Sequence, residues 1–318
     1  MIRKDCNFYG GYMSRELVDI GAKKLEVSIT GEGTPVIVIE TGMGCSFDDW
    51  YEIIQEISKE ATVLCYHRQG YGASTISEEE GTTLQIAEDL HKLLAIKEIK
   101  GPIILVGHSF GGLCVQQYAA LYPEEVGGIM LVDSVSINEY EMDQLREKLP
   151  SFKKQFSKEN IIENWLQLSD KNKEELEKHI KPKLFEEQLK FPQEIQKELL
   201  AFSVNPNLYG AMASELKNMC QSGLQIKIKD KLHIPLKSLA RDVDLAIKWN
   251  VDSGIPEEEA RVFEEKWQVL VKEQAGLSTK GECRVIENSK HSIYRTNPQI
   301  VINMLKDLII KVREGQIK

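Results

Sequence analysis

No apolar run in this 318-residue chain approaches the roughly 20 residues a membrane-spanning helix needs; the longest, such as "PIILVG" (102–107) and "GIMLV" (128–132), are far shorter. The opening stretch "MIRKDCNFYGGYMSREL" has neither an apolar core of signal-peptide length nor a small-residue cleavage site, so the expected location is the cytoplasm. The six cysteines (6, 45, 65, 114, 220 and 283) form no CxxC and no regular spacing, which points to reduced thiols. No HExxH, Cys/His cluster or acidic metal loop occurs, so no metal ion is expected. "GEG" at 31–33 precedes a strand and opens no helix, and "GHSFGG" lacks the Lys-Ser/Thr of a phosphate loop; no nucleotide cofactor is expected. An excess of basic charge is missing too. With 40 Lys and Arg against 49 Asp and Glu, the net charge of −9 argues against a broad nucleic-acid face.

What is present is a soluble composition, 42% apolar and 28% charged, in a chain long enough for one large α/β domain. "KLEVSI" (24–29) alternates like an antiparallel strand. "PVIVIE" (35–40), "TVLCYH" (62–67), "PIILVG" and "GGIMLV" (127–132) are continuously apolar, as strands buried on both faces should be. Between them, residues 82–98 place Leu84, Ala87, Leu90 and Leu94 on one helical face, and a second helix is expected at 110–121. Strand–helix alternation predicts a mostly parallel sheet flanked by helices. From 137 to about 230 the chain turns rich in Lys, Glu, Gln and Leu, with no β-branched runs, and reads as short helices broken at Pro182, Pro192 and Pro206. Strands return at "HIPLKSLA" (233–240) and "ECRVIEN" (282–288), joined by a helix at 256–275. A last helix at roughly 297–313 carries Ile300, Met304, Leu308 and Val312 on one side. The expected division is a core of 1–136 and 231–318 with an inserted helical segment, 137–230.

The stretch "LVGHSFGG" (105–112) sets a serine between glycines where a buried strand meets a helix. Such a tight turn forces the serine into a strained backbone shape that lifts its hydroxyl, and side chains two residues to either side would collide. Gly107 and Gly111 supply that clearance. The helix then begins beneath Ser109, and the N–H of Phe110 points to where an oxyanion would form.

Four segments together resemble the α/β-hydrolase fold superfamily, in its serine esterase branch with a helical cap. "VIVIETGMGCSFDDW" (36–50) resembles its oxyanion loop, "VLCYHRQGYGAST" (63–75) its Asp-Arg-x-Gly-x-Gly-x-Ser run, "LVGHSFGG" its nucleophile elbow and "ENSKHSIYRTNPQIV" (287–301) its histidine loop. The resemblance implies an eight-stranded sheet and a triad in the order nucleophile, acid, histidine. Of the six histidines only His291 lies late enough to be the base. For the acid, the end of the sixth strand offers Asp133, and the loop after the seventh offers Asp242 and Asp244. That loop departs from the family: Ala240-Arg241-Asp242 replaces its Gly-x-x-Asp turn, which leaves Asp133 the preferred acid. Thr41-Gly42-Met43 replaces the family's His-Gly-x, and by position the Met43 N–H is the second oxyanion donor. His67 stands where the family has an aspartate, and Arg68 and Gly70 are read as bracing the oxyanion loop. His108 is expected to point to the other side of the turn.

These features predict a cofactor-free serine hydrolase acting on a small-molecule ester through an acyl-enzyme on Ser109, with amides or lactones as variants. Acyl transfer, carbon–carbon hydrolysis or peroxidase-type chemistry could use the same triad, and a low-turnover ligand receptor could retain it. A serine at the nucleophile position argues against the aspartyl-ester intermediate of haloalkane dehalogenases and epoxide hydrolases. Phe152, Phe156, Trp165, Leu168, Phe202 and Tyr209 either roof a pocket or pack the inserted helices onto the core.

Overall fold

The computed structural model describes residues 14–316; the first thirteen, with Cys6, lie outside the described residues. Eight strands form one sheet: β1 (Glu16–Asp19), β2 (Lys24–Thr30), β3 (Val36–Glu40), β4 (Thr62–Tyr66), β5 (Ile103–His108), β6 (Val126–Val132), β7 (Leu232–Ala240) and β8 (Ser278–Val285). Their spatial order is β1-β2-β4-β3-β5-β6-β7-β8. β1 and β2 pair antiparallel, β2 joins β4 antiparallel, and every pair from β4 to β8 is parallel.

The apolar runs are explained by what covers them. In β3, Ile37 and Ile39 point into one core and Val38 into another, on opposite faces of the sheet. The first face is covered by α1 (Tyr51–Ile57) and the C-terminal helix Pro298–Gln316. The second is covered by α2 (Thr83–Ile96) and α3 (Phe110–Leu121). Burying each such side chain contributes about 1.5–3 kcal/mol. On α2 the buried stripe runs through Ile86, Ala87, Leu90, Leu93 and Leu94, whereas Leu84, expected to share it, is 42% exposed. At 100° per residue Leu84 falls about 120° from the centre of that stripe, outside it. The last helix is likewise rotated slightly from expectation. Val301, Leu305, Leu308, Ile309 and Val312 form its buried centre, flanked by Ile300 and Met304.

Six helices fill the chain between β6 and β7: α4 (Glu139–Lys148), α5 (Pro150–Gln155), α6 (Lys158–Ser169), α7 (Lys173–Ile180), α8 (Gln193–Ser203) and α9 (Pro206–Gln225). Pro192 is the N-cap of α8 and Pro206 opens α9, positions where the missing N–H costs nothing. Helix α9 crosses the loops that follow β3 and β4. A side chain on Gly44 would lie 3.0 Å from Met212, and one on Gly70 would lie 2.9 Å from Ala211. After β7 come α10 (Val243–Asp252) and α11 (Glu257–Glu273), then, after β8, α12 (Ile293–Thr296) and α13, the C-terminal helix. β8 begins four residues before the expected 282–288 and ends at Val285. The five cysteines among the described residues are free thiols, and no described helix is long and apolar enough to cross a membrane.

Candidate active site

The sheet order turns at β3, whose neighbours are β4 and β5. Crevices form at such switch points, beyond the carboxyl ends of the strands. The loop 41–46 leaves β3 here, Ser109 follows β5 and Asp133 follows β6, while His291 arrives from the loop after β8.

Ser109 has φ 52° and ψ −124°, a backbone shape that side chains rarely adopt. Its surroundings enforce it. A Cβ on Gly107 would sit 2.5 Å from Gly112 Cα, and one on Gly111 would sit 2.3 Å from the Glu40 carbonyl oxygen. The Ser109 N–H donates to Val132 O (3.2 Å), and its carbonyl accepts from Gly112 and Val135 N–H.

The hydroxyl so presented lies 3.0 Å from His291 Nε2, and His291 Nδ1 lies 2.6 Å from Asp133 Oδ2. Asp133 is fully buried and receives three further donors. Trp267 Nε1–H gives to Oδ1 (3.0 Å), the Arg241 backbone N–H to Oδ1 (3.3 Å) and Arg241 Nη1–H to Oδ2 (2.8 Å). Burial alone would raise this carboxyl. The charge of Arg241, then the hydrogen bond and charge of His291 and the Trp267 N–H, outweigh it and hold Asp133 below the usual carboxylate range. Arg241 Nη1 is also 3.3 Å from His291 Nδ1; two donors cannot bond each other, so both turn to Oδ2.

The other two aspartates stand apart from the histidine. The segment read as a loop after β7 becomes α10, and Asp242 caps it, accepting from Asp244 N (3.0 Å) and Leu245 N (3.2 Å) and also from Asn288 N (2.8 Å). Asp244 lies exposed in the first turn of that helix.

His108 differs from expectation. Its ring lies beside His291, with centroids 4.7 Å apart, and its Nε2 is 3.2 Å from the His291 carbonyl oxygen. Burial, then the neighbouring His291, push its pKa well below the ordinary histidine value, so it is neutral.

Gly42 passes close to the elbow: a Cβ there would lie 3.3 Å from Ser109 Cβ and 2.6 Å from His108 Nδ1. Met43, the next residue, packs against the apolar cluster of Phe110 and Leu113, and Phe110, first residue of α3, has an N–H with no helical acceptor. Arg68 braces this loop from below, donating to Thr41 O (2.8 Å) and Gly42 O (3.3 Å). It also bonds Glu40 (2.7 Å) and Glu215 of α9 (2.7 Å). Tyr71 donates to Glu215 (2.7 Å) and accepts from Gly44 N–H (2.9 Å). His67, which follows β4 directly, lies 2.7 Å from Glu26 and stacks on Phe47.

A cavity of about 710 Å³ opens beside His291, walled by Phe152, Phe156, Ile161, Leu216 and Phe263, with Trp249 at its edge. The large apolar residues of the inserted helices therefore divide. Phe152 and Phe156 line this cavity, whereas Leu168, Phe202 and Tyr209 pack with Tyr71 in a separate cluster and Trp165 packs beside both.

The sequence profile of the alpha/beta hydrolase fold family matches residues 35–204, just over half of the chain. The chain belongs to this family. A protein of Bacillus subtilis strain 168, YqjL, is 30% identical over 103 residues, covering 32% of this chain and 41% of that protein. A Hormonema carpetanum protein bearing the name of a transporter, efuK, is 30% identical over 144 residues, 43% of this chain and 21% of its own length. The chain thus spans less than half the length of these curated relatives. Among solved structures, a thermophilic esterase from Thermogutta terrifontis superposes with TM-score 0.58 at 19% identity, covering 94% of this chain and 99% of that one. The epoxide hydrolase CorEH superposes with TM-score 0.59 at 16% identity, covering 93% and 98%. The chain shares its fold with both.

Arg241, Glu264, Trp267 and Glu215 are not legible in the sequence as parts of the site. The sole sequence signal is Arg241, a charged residue standing in the turn where the family has glycine.

Proposed function

We propose that this α/β-hydrolase is a cofactor-free serine hydrolase that cleaves a carboxylic ester through an acyl-enzyme on Ser109. One observation carries the reading: the unbroken chain from Ser109 Oγ through His291 to Asp133, with steps of 3.0 and 2.6 Å. A serine hydroxyl is a weak nucleophile and needs a base within hydrogen-bond reach, itself oriented by a third group. Asp133 accepts the Nδ1 proton, which leaves the Nε2 lone pair facing the hydroxyl.

As Oγ bonds to the carbonyl carbon, its proton passes to His291 Nε2. The carbonyl oxygen takes up negative charge, and the N–H groups of Phe110 and Met43 stabilise it. Removing one such donor typically costs about 3–4 kcal/mol of barrier lowering. Collapse breaks the bond to the alcohol oxygen, which leaves with the proton from Nε2. Water then adds to the acyl carbon, giving its proton to His291, and Ser109 departs with it to complete hydrolysis. In this reading residues 137–230 form a cap over the site, and the substrate is a small molecule bearing an acyl group.

The test is labelling with a fluorophosphonate together with a panel of short-chain p-nitrophenyl esters. Ser109 should carry the label, and Ser109→Ala should lower kcat by about 10⁴-fold or more. An unlabelled Ser109, or an S109A rate equal to wild type, would sink the proposal. Labelling with no turnover of any ester would instead favour a ligand receptor.

A further inference from the structure

We propose that the 710 Å³ cavity holds the alcohol half of the ester, and that this half is bulky, neutral and apolar. This rests on the serine-hydrolase reading of Ser109 and His291. The two halves of the ester must lie on different sides of the reacting carbon. The alcohol oxygen receives its proton from His291 Nε2, so it has to come within hydrogen-bond reach of that atom. The carbonyl oxygen must face the opposite wall, toward Phe110 and Met43. His291, Ser292 and Arg241 border the large cavity, and no residue of loop 41–46 does. A second cavity of about 550 Å³ is bordered by Gly44, Cys45 and Ser46 of that loop and by no member of the triad. The group that departs with the histidine's proton therefore faces the larger space.

The walls define the chemistry. Phe152 and Phe263 stack at 4.2 Å, and Phe156, Ile161, Leu216 and Trp249 complete a mainly apolar lining. Five basic side chains also reach the cavity, but four are engaged elsewhere. Arg146 and Lys158 pair with Asp143, Arg241 with Asp133 and Glu264, and Arg295 with Asp49 (3.4 Å) while lying over the Phe185 ring. That leaves exposed Lys290 and half-buried Glu187, one of each sign. A charged alcohol would lose its hydration without gaining a dedicated counter-ion, whereas an aryl or alkyl one gains apolar burial.

Two isomeric esters separate the halves. 4-Phenylbutyl acetate puts the bulk on the alcohol, and ethyl 4-phenylbutanoate puts the same atoms on the acyl side. The acetate should have the higher kcat/KM by about tenfold or more, the discrimination a hydrophobic pocket commonly delivers. Trp249→Ala, at a position 62% exposed and so safe for folding, should lower that ratio, chiefly by raising KM for the acetate. Phe263→Ala should lower it further. Equal rates, or preference for the butanoate, would overturn the assignment, as would fluorophosphonate labelling of Ser109 with neither isomer hydrolysed. Failure of labelling and of hydrolysis together would count against the hydrolase reading itself.

Discussion

Two arginines with little exposed side chain, 2% for Arg68 and 13% for Arg241, sit on either side of the site, and each is built the same way. Arg68 lies between a carboxylate at the end of β3, Glu40, and a helix carboxylate, Glu215. Arg241 lies between a carboxylate just after β6, Asp133, and a helix carboxylate, Glu264. Both arrangements bind the end of an interior strand to a packed helix through a guanidinium that presents two faces at once. They differ in what else the strand-end carboxylate meets. Asp133 gathers four donors, among them His291, and is held ionised. Glu40 receives Arg68 and the Tyr66 hydroxyl. Burial first, and then Glu215, push its pKa above the ordinary carboxylate value despite Arg68. One device thus prepares a carboxylate for a histidine, and the other clamps a loop. Burial and an arginine are common to both; the count and direction of donors decide the role.

The sharpest way to break this contrast is to neutralise each strand-end carboxylate. Asp133→Asn should lower kcat by about 10³–10⁴-fold, because the histidine loses its orienting acceptor. Glu40→Gln should stay within about tenfold of wild type in the same ester assay. Equal losses would mean the two clusters do the same job.

Removing the arginines should affect stability more evenly. Arg68→Met and Arg241→Met each strand two buried carboxylates, so urea unfolding should show about 3–5 kcal/mol lost in either variant. A loss below about 1 kcal/mol at one site would show that its carboxylates are relieved by solvent.

The pH dependence should have opposite signs. Asp133 titrates lower in the folded state, so its stabilisation is full above its unfolded value of about 4 and fades as pH falls below that. Glu40 titrates higher when folded, so its contribution is greatest below its unfolded value and is lost as pH rises through the folded one. Relative to wild type, Glu40→Gln should therefore gain stability with rising pH, whereas the Asp133→Asn deficit should be constant above about pH 5 and shrink in acid. Urea midpoints from pH 3 to pH 9 read both. The smallest effect is expected for Tyr71→Phe, which leaves Glu215 Oε2 with Arg68 Nη2 as its remaining donor and strips the Gly44 N–H of its acceptor. About 1 kcal/mol should be lost by the same measurement.

The elbow is legible in the amino-acid sequence because its requirements are local: a buried strand, clearance at Gly107 and Gly111, and a helix start fall within eight residues. The apolar strands are legible for a similar reason, since burial on both faces leaves a continuous run. β1 leaves little trace because it is four residues long and three of them are exposed. Asp242 carries the signal of a helix cap in the amphipathic residues after it, and that signal argues against its being the acid. Beyond His291, the donors to Asp133 have little local signature. Arg241 and Trp267 stand 108 and 134 residues along the chain, and only the packing of α11 against β7 brings them together.

The tie between Arg68 and Glu215 also bears on traffic. Helix α9 is moored to the sheet side at three points along its length: Glu215 on Arg68, Ser214 on Gly81 N–H (2.8 Å) and Ser222 on Thr83 N–H (3.3 Å). Swinging it outward would bare a buried guanidinium and pull on the carbonyls of Thr41 and Gly42. Helix α9 is therefore a fixed wall and not a door. The rim of the 710 Å³ cavity carries no such mooring at Phe185 and Trp249, which stand 55% and 62% exposed.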